Sequence, residues 1–207
     1  SAIALVLLER GEAVSGSDRQ DSPFLHSLRA AGARVFIGHR AENILGASVV
    51  VRSSAVPDDN PEVQAAISQG IPVLKRSDYF SSLLAGQKCI AIAGTHGKTT
   101  TTAMVAWTLT ALGEQPGFII GGVSANLGSN ARAGRGATFV VEADEYDHMF
   151  LGLEPAVAVV TNIEHDHPDC FPTRDDYHRA FVQFAGKLKP DGVLLACSDD
   201  RGARQLL

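Results

Sequence analysis

The chain has 207 residues, of which 45% are hydrophobic and 20% charged, and its formal net charge at pH 7 is −5. This composition is typical of a globular protein with one large or two small domains. The acidic balance and the lack of a basic block argue against nucleic-acid or membrane surfaces, and no apolar run approaches the roughly 20 residues that span a bilayer. Three distant cysteines without C-x-x-C spacing indicate reduced and mostly packing residues of a cytoplasmic protein: Cys89, Cys170 and Cys197.

The first 86 residues alternate short apolar strands with helical patterns, which is typical of a parallel α/β unit. In chain order we predict a helix over 2–10, a strand at 13–14, a helix over 24–31 and strands at 34–37 and 47–51. A helix then starts at Asn60-Pro61 and ends at Gly70, followed by a strand at 71–74 and a short helix that Ser77 caps and that runs through Leu84. Residues 85–88 are a predicted hinge.

The second part continues the same alternation. We predict strands at 89–93, 118–120, 137–141, 156–160 and 193–197, and helices over 103–112 and around the stripe Tyr177, Phe181, Phe184 and Leu188. The glycine- and asparagine-rich segment 125–136 is predicted to be a mobile loop near a nucleotide. The chain opens inside a helical run and ends inside a new element at 199–207, so we expect a piece of a longer protein.

The most informative motif stands between the strand at 89–93 and the helix after it. Glycines there allow backbone N–H groups to close on phosphate oxygens, a lysine reaches the terminal phosphates and a threonine hydroxyl ligates Mg²⁺. Ile92 occupies the position of the first glycine in the usual G-x-x-x-x-G-K-[ST] spacing, so the turn is tighter. An ordinary glycine-rich turn with a chance lysine is the alternative. The predicted nucleotide-binding residues are Gly94, Thr95, His96, Gly97, Lys98, Thr99 and Thr100.

Two polar clusters follow apolar strands further along the chain. The segment 142–147 carries four carboxylates, and Mg²⁺ usually takes one or two protein carboxylates besides phosphates, so one of the four is a candidate ligand. The segment 161–169 combines histidines, carboxylates and Asn162, and it could bind a divalent metal. It does not define a closed zinc site. The alternative for each cluster is a solvated polar surface.

These three motifs, in this order and spacing, resemble the signatures of the Mur ligases, the ATP-dependent amide-forming enzymes of peptidoglycan synthesis. The segments 14–18 and 53–57 are similar to the N-terminal domain of the family, so the resemblance covers essentially the whole chain. It is strongest for the alanine-adding branch. Several sister ligases use a carbamylated lysine downstream of the position of His167, and no lysine lies between His167 and Phe184 here.

The resemblance implies an α/β fold with two domains. Residues 1–86 would be a Rossmann-like, parallel-sheet UDP-sugar-binding domain that is truncated at its N-terminus. Residues 87–207 would be a P-loop-type ATP-binding domain that is truncated at its C-terminus, and the third domain of the family would be absent. The fragment alone would then be inactive.

The resemblance also implies roles for single residues in catalysis and metal binding. Lys98 would hold the β- and γ-phosphates of ATP. Thr99 and Glu142 would ligate the first Mg²⁺, and His167 would belong to the second metal position. Lys98, Glu142 and His167 are therefore the candidate catalytic residues.

The substrates implied are UDP-N-acetylmuramate and L-alanine, with no nucleic-acid or membrane partner. The lactyl carboxylate would be activated as an acyl phosphate, which the amine of L-alanine then attacks. His96 and Asn162 would lie where the muramic acid end approaches the γ-phosphate, and Ser17 and Asp18 would lie in the UDP-binding domain. Three alternatives stay open: a recycling ligase that adds a tripeptide to the same sugar nucleotide, a nucleotide-binding module without ligase activity, and a P-loop switch or motor ATPase.

Overall fold

The computed structural model describes residues 2–207, so Ser1, which we assigned to the first domain, lies outside the described residues. The first part of the chain alternates helices with short strands. Its elements are α1 (Ala2–Glu9), β1 (Ser15–Asp18), α2 (Pro23–Ala30), β2 (Arg34–Ile37), a 3-10 turn (Ala41–Ile44), β3 (Val50–Arg52), α3 (Pro61–Ser68), β4 (Val73–Lys75) and α4 (Arg76–Leu83).

The strands of this first part form two separate parallel pairs, β1 with β2 and β3 with β4. The strand predicted at 13–14 was wrong by two positions. Backbone pairing with β2 sets the strand over four mostly exposed polar and glycine residues, which carry no apolar pattern. The predicted cap at Ser77 was also wrong: α4 begins at Arg76, and its N-cap is Lys75, two residues before Ser77. The Asp78 side chain accepts the N–H of Lys75.

The second part is built on one six-stranded sheet. Its elements are β5 (Lys88–Ala93), α5 (Lys98–Ala111), β6 (Gly117–Ser124), β7 (Ser129–Arg132), β8 (Thr138–Glu142), a 3-10 segment (Tyr146–Gly152), β9 (Val157–Val160), α6 (Arg174–Ala185), β10 (Val193–Ala196) and α7 (Arg201–Arg204). The strand order is β10-β9-β5-β8-β6-β7, parallel except for β7. The carboxyl ends of β8, β5 and β9 therefore meet at one edge.

The predicted mobile loop at 125–136 was wrong in its centre. Residues 129–132 form β7, which pairs antiparallel with β6 and packs Ala131 into the core. The guanidinium of Arg132 lies 5.2 Å from the centre of the Phe118 ring and donates a hydrogen bond to the Leu127 carbonyl. Cross-strand pairing and this cation–π contact order a segment that composition alone indicates as a loop.

One hydrophobic core joins the two parts of the chain. Val6 of α1 and Phe80 of α4 are buried together with Phe139, Phe150 and Phe181 from the large sheet and its helices. The Glu9 carboxylate accepts the Ala133 N–H at 2.7 Å, which ties α1 to the end of β7. The division of the chain at residues 86 and 87 stays a prediction. Across residues 2–207, no helix combines the length and apolarity needed to cross a membrane.

The buried thiol on β5 provides a test of this core. Burial raises the pKa of the Cys89 thiol to about 12, so at pH 8 its thiolate fraction is roughly a thousandfold below that of an ordinary cysteine. Cys197 is exposed. We expect iodoacetamide at pH 8 to alkylate Cys197 within minutes and Cys89 only after unfolding in urea, as measured by peptide mass spectrometry. Equal rates for the two thiols in the native protein would contradict the placement of β5.

Candidate active site

The candidate site lies at the carboxyl edge of the central strands, where open α/β sheets bind ligands. The loop 94–97 leads from β5 into α5, and Gly97 is the N-cap with a φ of 80°. The N-terminus of α5 therefore faces the loop, and its N–H groups and helix dipole favour an anion there. The side chains of Thr99 and Thr100 in the first turn are exposed.

The loop is fastened to the segment that follows β9. The Thr95 N–H donates to the Asn162 carbonyl (3.0 Å), and the His96 N–H donates to Asn162 Oδ1 (2.9 Å). In return, Asn162 Nδ2 and Thr161 Oγ1 both donate to the His96 carbonyl, at 3.1 and 2.7 Å. Asn162 thus shapes the backbone of the loop, while the His96 side chain stays 68% exposed, with its Nε2 3.8 Å from Glu164 Oε2.

This close approach explains why glycine occupies position 94. Gly94 has a φ of 136°, a conformation that residues with a Cβ rarely adopt. A Cβ there would overlap the Thr161 hydroxyl and lie 3.1 Å from the Asn162 backbone nitrogen. Only glycine lets the loop pass this closely under the end of β9.

Lys98 reaches back into the loop that it follows. Its ammonium donates to the carbonyls of Gly94 (2.7 Å) and Thr95 (3.2 Å) and to Glu145 Oε1 (3.0 Å). Glu145 is fully buried, and its Oε1 also accepts the Tyr177 hydroxyl proton at 2.9 Å. The ammonium is therefore held against the backbone of the loop and the Glu145 carboxylate.

Thr99 and Glu142 form a second polar contact beside the loop. The Thr99 hydroxyl donates to Glu142 Oε1 at 2.9 Å, and the Gly121 N–H donates to Glu142 Oε2 at 2.6 Å. A Cβ on Gly121 would lie 2.7 Å from the nearer carboxylate oxygen, so the glycine leaves room for this arrangement. A hydroxyl and a carboxylate are hard oxygen ligands that suit Mg²⁺.

His167 lies near Glu145, the carboxylate that also contacts Lys98. Its Nε2 is 3.8 Å from both Glu145 Oε1 and Asp166 Oδ2, and its ring packs edge-on against Tyr146 with 5.1 Å between centroids. The backbone N–H of His167 donates to Asp166 Oδ1, which lowers the pKa of that carboxyl. His167 therefore approaches Glu145, whereas Thr99 contacts Glu142.

The donor set fits a magnesium ion that is completed by phosphate. Among residues 2–207, no three His, Cys, Asp or Glu side chains converge closely enough to hold a metal by themselves. Mg²⁺ usually binds through one or two carboxylates plus substrate phosphates, and Thr99 with Glu142 supply such a partial set next to the loop. Zinc, which requires three or four nitrogen or sulfur ligands, does not fit.

Ser17 belongs to a different polar cluster, and Asp18 follows it at the end of β1. The Ser17 hydroxyl donates to Glu62 Oε2 at 2.6 Å and lies 3.0 Å from His39 Nδ1. Asn43 Nδ2 donates to Glu62 Oε1, also at 2.6 Å. Asp18 accepts the N–H of Gln20. Ser17 therefore contacts Glu62 and His39, and Glu62 links it to Asn43; among the described residues it has no hydrogen bond to the loop 94–97. His39, Asn43 and Glu62 were not predicted from the sequence. The signal for His39 is its position just after β2.

A cleft of about 280 Å³ separates the two parts of the chain close to His167. Its walls come from the turn after β3 and from the loops after β8 and β9, and it is lined by Ser54, Ala55, Tyr146, Asp147, Asp169 and Cys170. A larger hollow of about 560 Å³ lies against β9 and β10 and has a mainly apolar lining without charged side chains. Both adjoin the candidate site: Tyr146 in the polar cleft packs against His167, and Thr161 in the larger hollow donates to the His96 carbonyl.

Two residues of the site, Glu145 and Tyr177, were given no role there from the sequence. Glu145 was one of four carboxylates in a turn, and Tyr177 was assigned to the apolar stripe of a helix. The Tyr177 hydroxyl lies 2.9 Å from both Glu145 Oε1 and Thr95 Oγ1, and burial raises its pKa, so it stays protonated. Thr95 also exchanges hydrogen bonds with the backbone of Glu164, so its side chain is used to hold the loop.

Known proteins share the sequence that builds this geometry. The family model described as "Mur ligase family, catalytic domain" matches residues 1–88, and the model described as "Mur ligase middle domain" matches residues 92–207. UDP-N-acetylmuramate–L-alanine ligase from Rubrobacter xylanophilus is 47% identical over 206 residues, covering 100% of this chain and 46% of that protein. The protein of the same name from Nocardioides sp. is 49% identical with the same coverage. The chain spans about half the length of the curated relatives it matches.

Solved structures agree with these matches. UDP-N-acetylmuramate:L-alanyl-gamma-D-glutamyl-meso-diaminopimelate ligase from Neisseria meningitides has a TM-score of 0.91 and 31% identity, covering 100% of this chain and 70% of that one. UDP-N-acetylmuramate-alanine ligase from Thermotoga maritima has a TM-score of 0.88 and 32% identity, covering 99% of this chain and 48% of that one.

Replacement of Gly94 tests the close approach of the loop to β9. Gly94→Ala should destabilise the protein by about 2–4 kcal/mol, because the strained φ and the overlap with Thr161 both oppose the native loop. Gly128→Ala is the control: its φ of 69° is also positive, but no atom lies within 4 Å of the added Cβ. Urea unfolding measures both variants. An equal decrease in the free energy of unfolding for both variants would show that the contact with Thr161 is unimportant.

Proposed function

This chain belongs to the Mur ligase family, and we propose that it forms the UDP-sugar-binding and ATP-binding parts of a UDP-N-acetylmuramate–L-alanine ligase. The relatives from Rubrobacter and Nocardioides carry that name and align with the whole chain. The observation that supports ATP-driven chemistry is the position of Lys98, whose ammonium lies inside a glycine-bounded loop at the N-terminus of α5. The domain division at residues 86 and 87 is part of the proposal.

The proposed reaction joins two steps that need positive charge more than a protein nucleophile. A carboxylate oxygen of the lactyl group attacks the γ-phosphorus of ATP, and ADP leaves. The amine of L-alanine then attacks the acyl phosphate, and phosphate leaves as the amide forms. Because the carboxylate and the triphosphate are both anionic, catalysis rests on positioning and on charge stabilisation.

Each candidate residue has a role in this proposal. Lys98 binds the β- and γ-phosphates through the ammonium that now contacts Gly94 and Thr95. Thr99 and Glu142 would hold the first Mg²⁺, and His167 would belong to a second metal position. When bound, Mg²⁺ would offset the charge of the triphosphate and orient the γ-phosphate.

The sugar nucleotide is proposed to extend from the first part of the chain to the phosphate loop. Ser17 and Asp18 would contact its UDP end, and His96 and Asn162 would lie near its muramic acid end. The polar cleft is lined by both parts of the chain and adjoins His167, which supports this route. The substrates are small molecules, and we propose a cytoplasmic enzyme without a nucleic-acid or membrane partner.

A ligase that adds a tripeptide to the same sugar nucleotide is the second candidate. The observation in its favour is the likeness to the Neisseria structure, whose name specifies such a peptide. A nucleotide-binding module without ligase activity is the third. All three share the phosphate loop, so the loop by itself does not distinguish them.

Product mass distinguishes the candidates. The complete protein that contains this chain would be incubated with ATP, Mg²⁺ and UDP-N-acetylmuramate, with L-alanine and the tripeptide offered in competition. A product heavier by one alanine supports the proposal, and a tripeptide adduct supports the second candidate. Binding of ATP without any adduct would favour the third.

Removal of the Lys98 ammonium should slow the ligase strongly. In the complete protein, we expect Lys98→Ala to lower turnover by about 10²–10³-fold, the usual loss for one charge-stabilising donor. Lys187→Ala is the matched control, because Lys187 is exposed beyond the end of α6. Steady-state ADP release measures both variants. Near-normal turnover of Lys98→Ala would refute the role of this lysine.

Displacement of Glu142 should raise the Mg²⁺ requirement. The added methyl group in Gly121→Ala would press on the Glu142 carboxylate, and we expect the Mg²⁺ concentration for half-maximal activity to rise about tenfold. Gly122→Ala is the control, since its Cβ meets only the Thr99 methyl group at an ordinary 3.7 Å. A Mg²⁺ titration of activity compares the two. An unchanged midpoint in Gly121→Ala would place the metal ligand elsewhere.

A further inference from the structure

The buried carboxylate of Glu145 has a role that the proposed reaction does not explain. The side chain is fully buried, and each of its oxygens lies close to the Lys98 ammonium, at 3.0 Å for Oε1 and 2.9 Å for Oε2. Oε1 is hydrogen-bonded, but Oε2 finds no partner with hydrogen-bond geometry among residues 2–207. A buried carboxylate is costly unless an ion pair compensates it, so this pair is tightly coupled.

The Lys98 ammonium is saturated in this arrangement. A lysine has three N–H donors, and here they meet the carbonyls of Gly94 and Thr95 and the carboxylate of Glu145. A phosphate oxygen can therefore gain a bond from Lys98 only if one of these three acceptors gives way. The carbonyls belong to the loop, and the carboxylate is the acceptor with a full charge.

The Glu145 carboxylate is itself fixed by a hydrogen bond from Tyr177. The Tyr177 hydroxyl on α6 donates to Glu145 Oε1 and lies 2.9 Å from Thr95 Oγ1. Tyr177 packs edge-on against Phe171 and Phe181 with centroid distances of 5.1 and 5.2 Å. Glu145 is thus anchored to the core of the domain, and it cannot follow Lys98 if the ammonium moves toward a phosphate.

We propose that Glu145 is a positioning residue that holds Lys98 inside the loop before nucleotide binds and that competes with the phosphate oxygens for its ammonium. The proposal rests on nucleotide binding by this loop. Glu145 is expected to weaken the binding of ATP, because it occupies Lys98 and adds negative charge beside the triphosphate. At the same time, Glu145 keeps the Lys98 ammonium inside the loop 94–97.

The competition predicts opposite effects on binding and on turnover. Glu145→Gln keeps the shape of the side chain and removes its charge, so the chain should bind MgATP about tenfold more tightly than the wild type. In the complete protein, the same change should lower the KM for ATP, because the competing charge is removed. It should also lower kcat, because Lys98 is no longer held in position. A residue that served only for stability would not tighten binding when replaced.

Calorimetric titration of MgATP into the 207-residue chain is the first test. Glu154→Gln is the matched control, since it removes one negative charge from an exposed position on the same segment. Tighter binding by Glu145→Gln, with Glu154→Gln equal to the wild type, supports the proposal. Equal or weaker binding by Glu145→Gln overturns it.

Absence of MgATP binding by the wild type would instead count against nucleotide binding by this chain, which is the proposed function. The hold on Lys98 is then tested without nucleotide, by a thermal-unfolding cycle of Lys98→Met, Glu145→Gln and the double variant. If the double variant loses less stability than the two single variants together, the result supports the interaction between Glu145 and Lys98, because either single change leaves a buried group unpaired. Additive losses overturn it.

Discussion

The parallel pairing of β5 with β8 on one side and β9 on the other determines where every candidate catalytic group lies. Ile92 pairs with both Glu142 and Val159, so the three strands end at nearly the same level. The loop 94–97, the acidic segment 142–147 and the histidine-containing segment 161–169 leave the sheet at that level and contact one another. The close passage of the loop under the end of β9, which Gly94 permits, makes this contact tight.

Charge is the second constraint on the site. Two carboxylates, Glu142 and Glu145, face a loop in which Lys98 is held by a carboxylate and two carbonyls. A triphosphate brings further negative charge, and one ammonium and a helix N-terminus do not neutralise it. This imbalance supports the proposed need for Mg²⁺ at Thr99 and Glu142. It also bears on the Glu145–Lys98 pair, because a hydrogen bond from Lys98 to phosphate must replace one that Lys98 already makes to Gly94, Thr95 or Glu145.

Sequence patterns predicted some elements of this structure well and others poorly. The strand at 34–37 and the order of strand, loop and helix around Lys98 are confirmed, because apolar runs and glycine positions are local signals. The helix itself begins at Lys98, five residues before the predicted start at 103. The strand at 13–14 was wrong, since β1 consists of polar and glycine residues ordered by pairing with β2. The loop predicted at 125–136 contains β7 for a similar reason: its partner β6 lies in another segment, and composition does not report pairing.

The sequence by itself determined which chemical groups are available: a glycine-rich loop with one lysine between a strand and a helix, and two polar clusters placed after strands. Those features depend on residue type and short-range spacing, and they are visible without a fold. Only the tertiary structure showed that a second carboxylate, Glu145, is the partner of Lys98. Glu142 meets Thr99, whereas Glu145, three residues later, is buried against Lys98 and Tyr177. The physical reason is that burial and contact between residues far apart in the chain arise from packing, which local sequence does not encode.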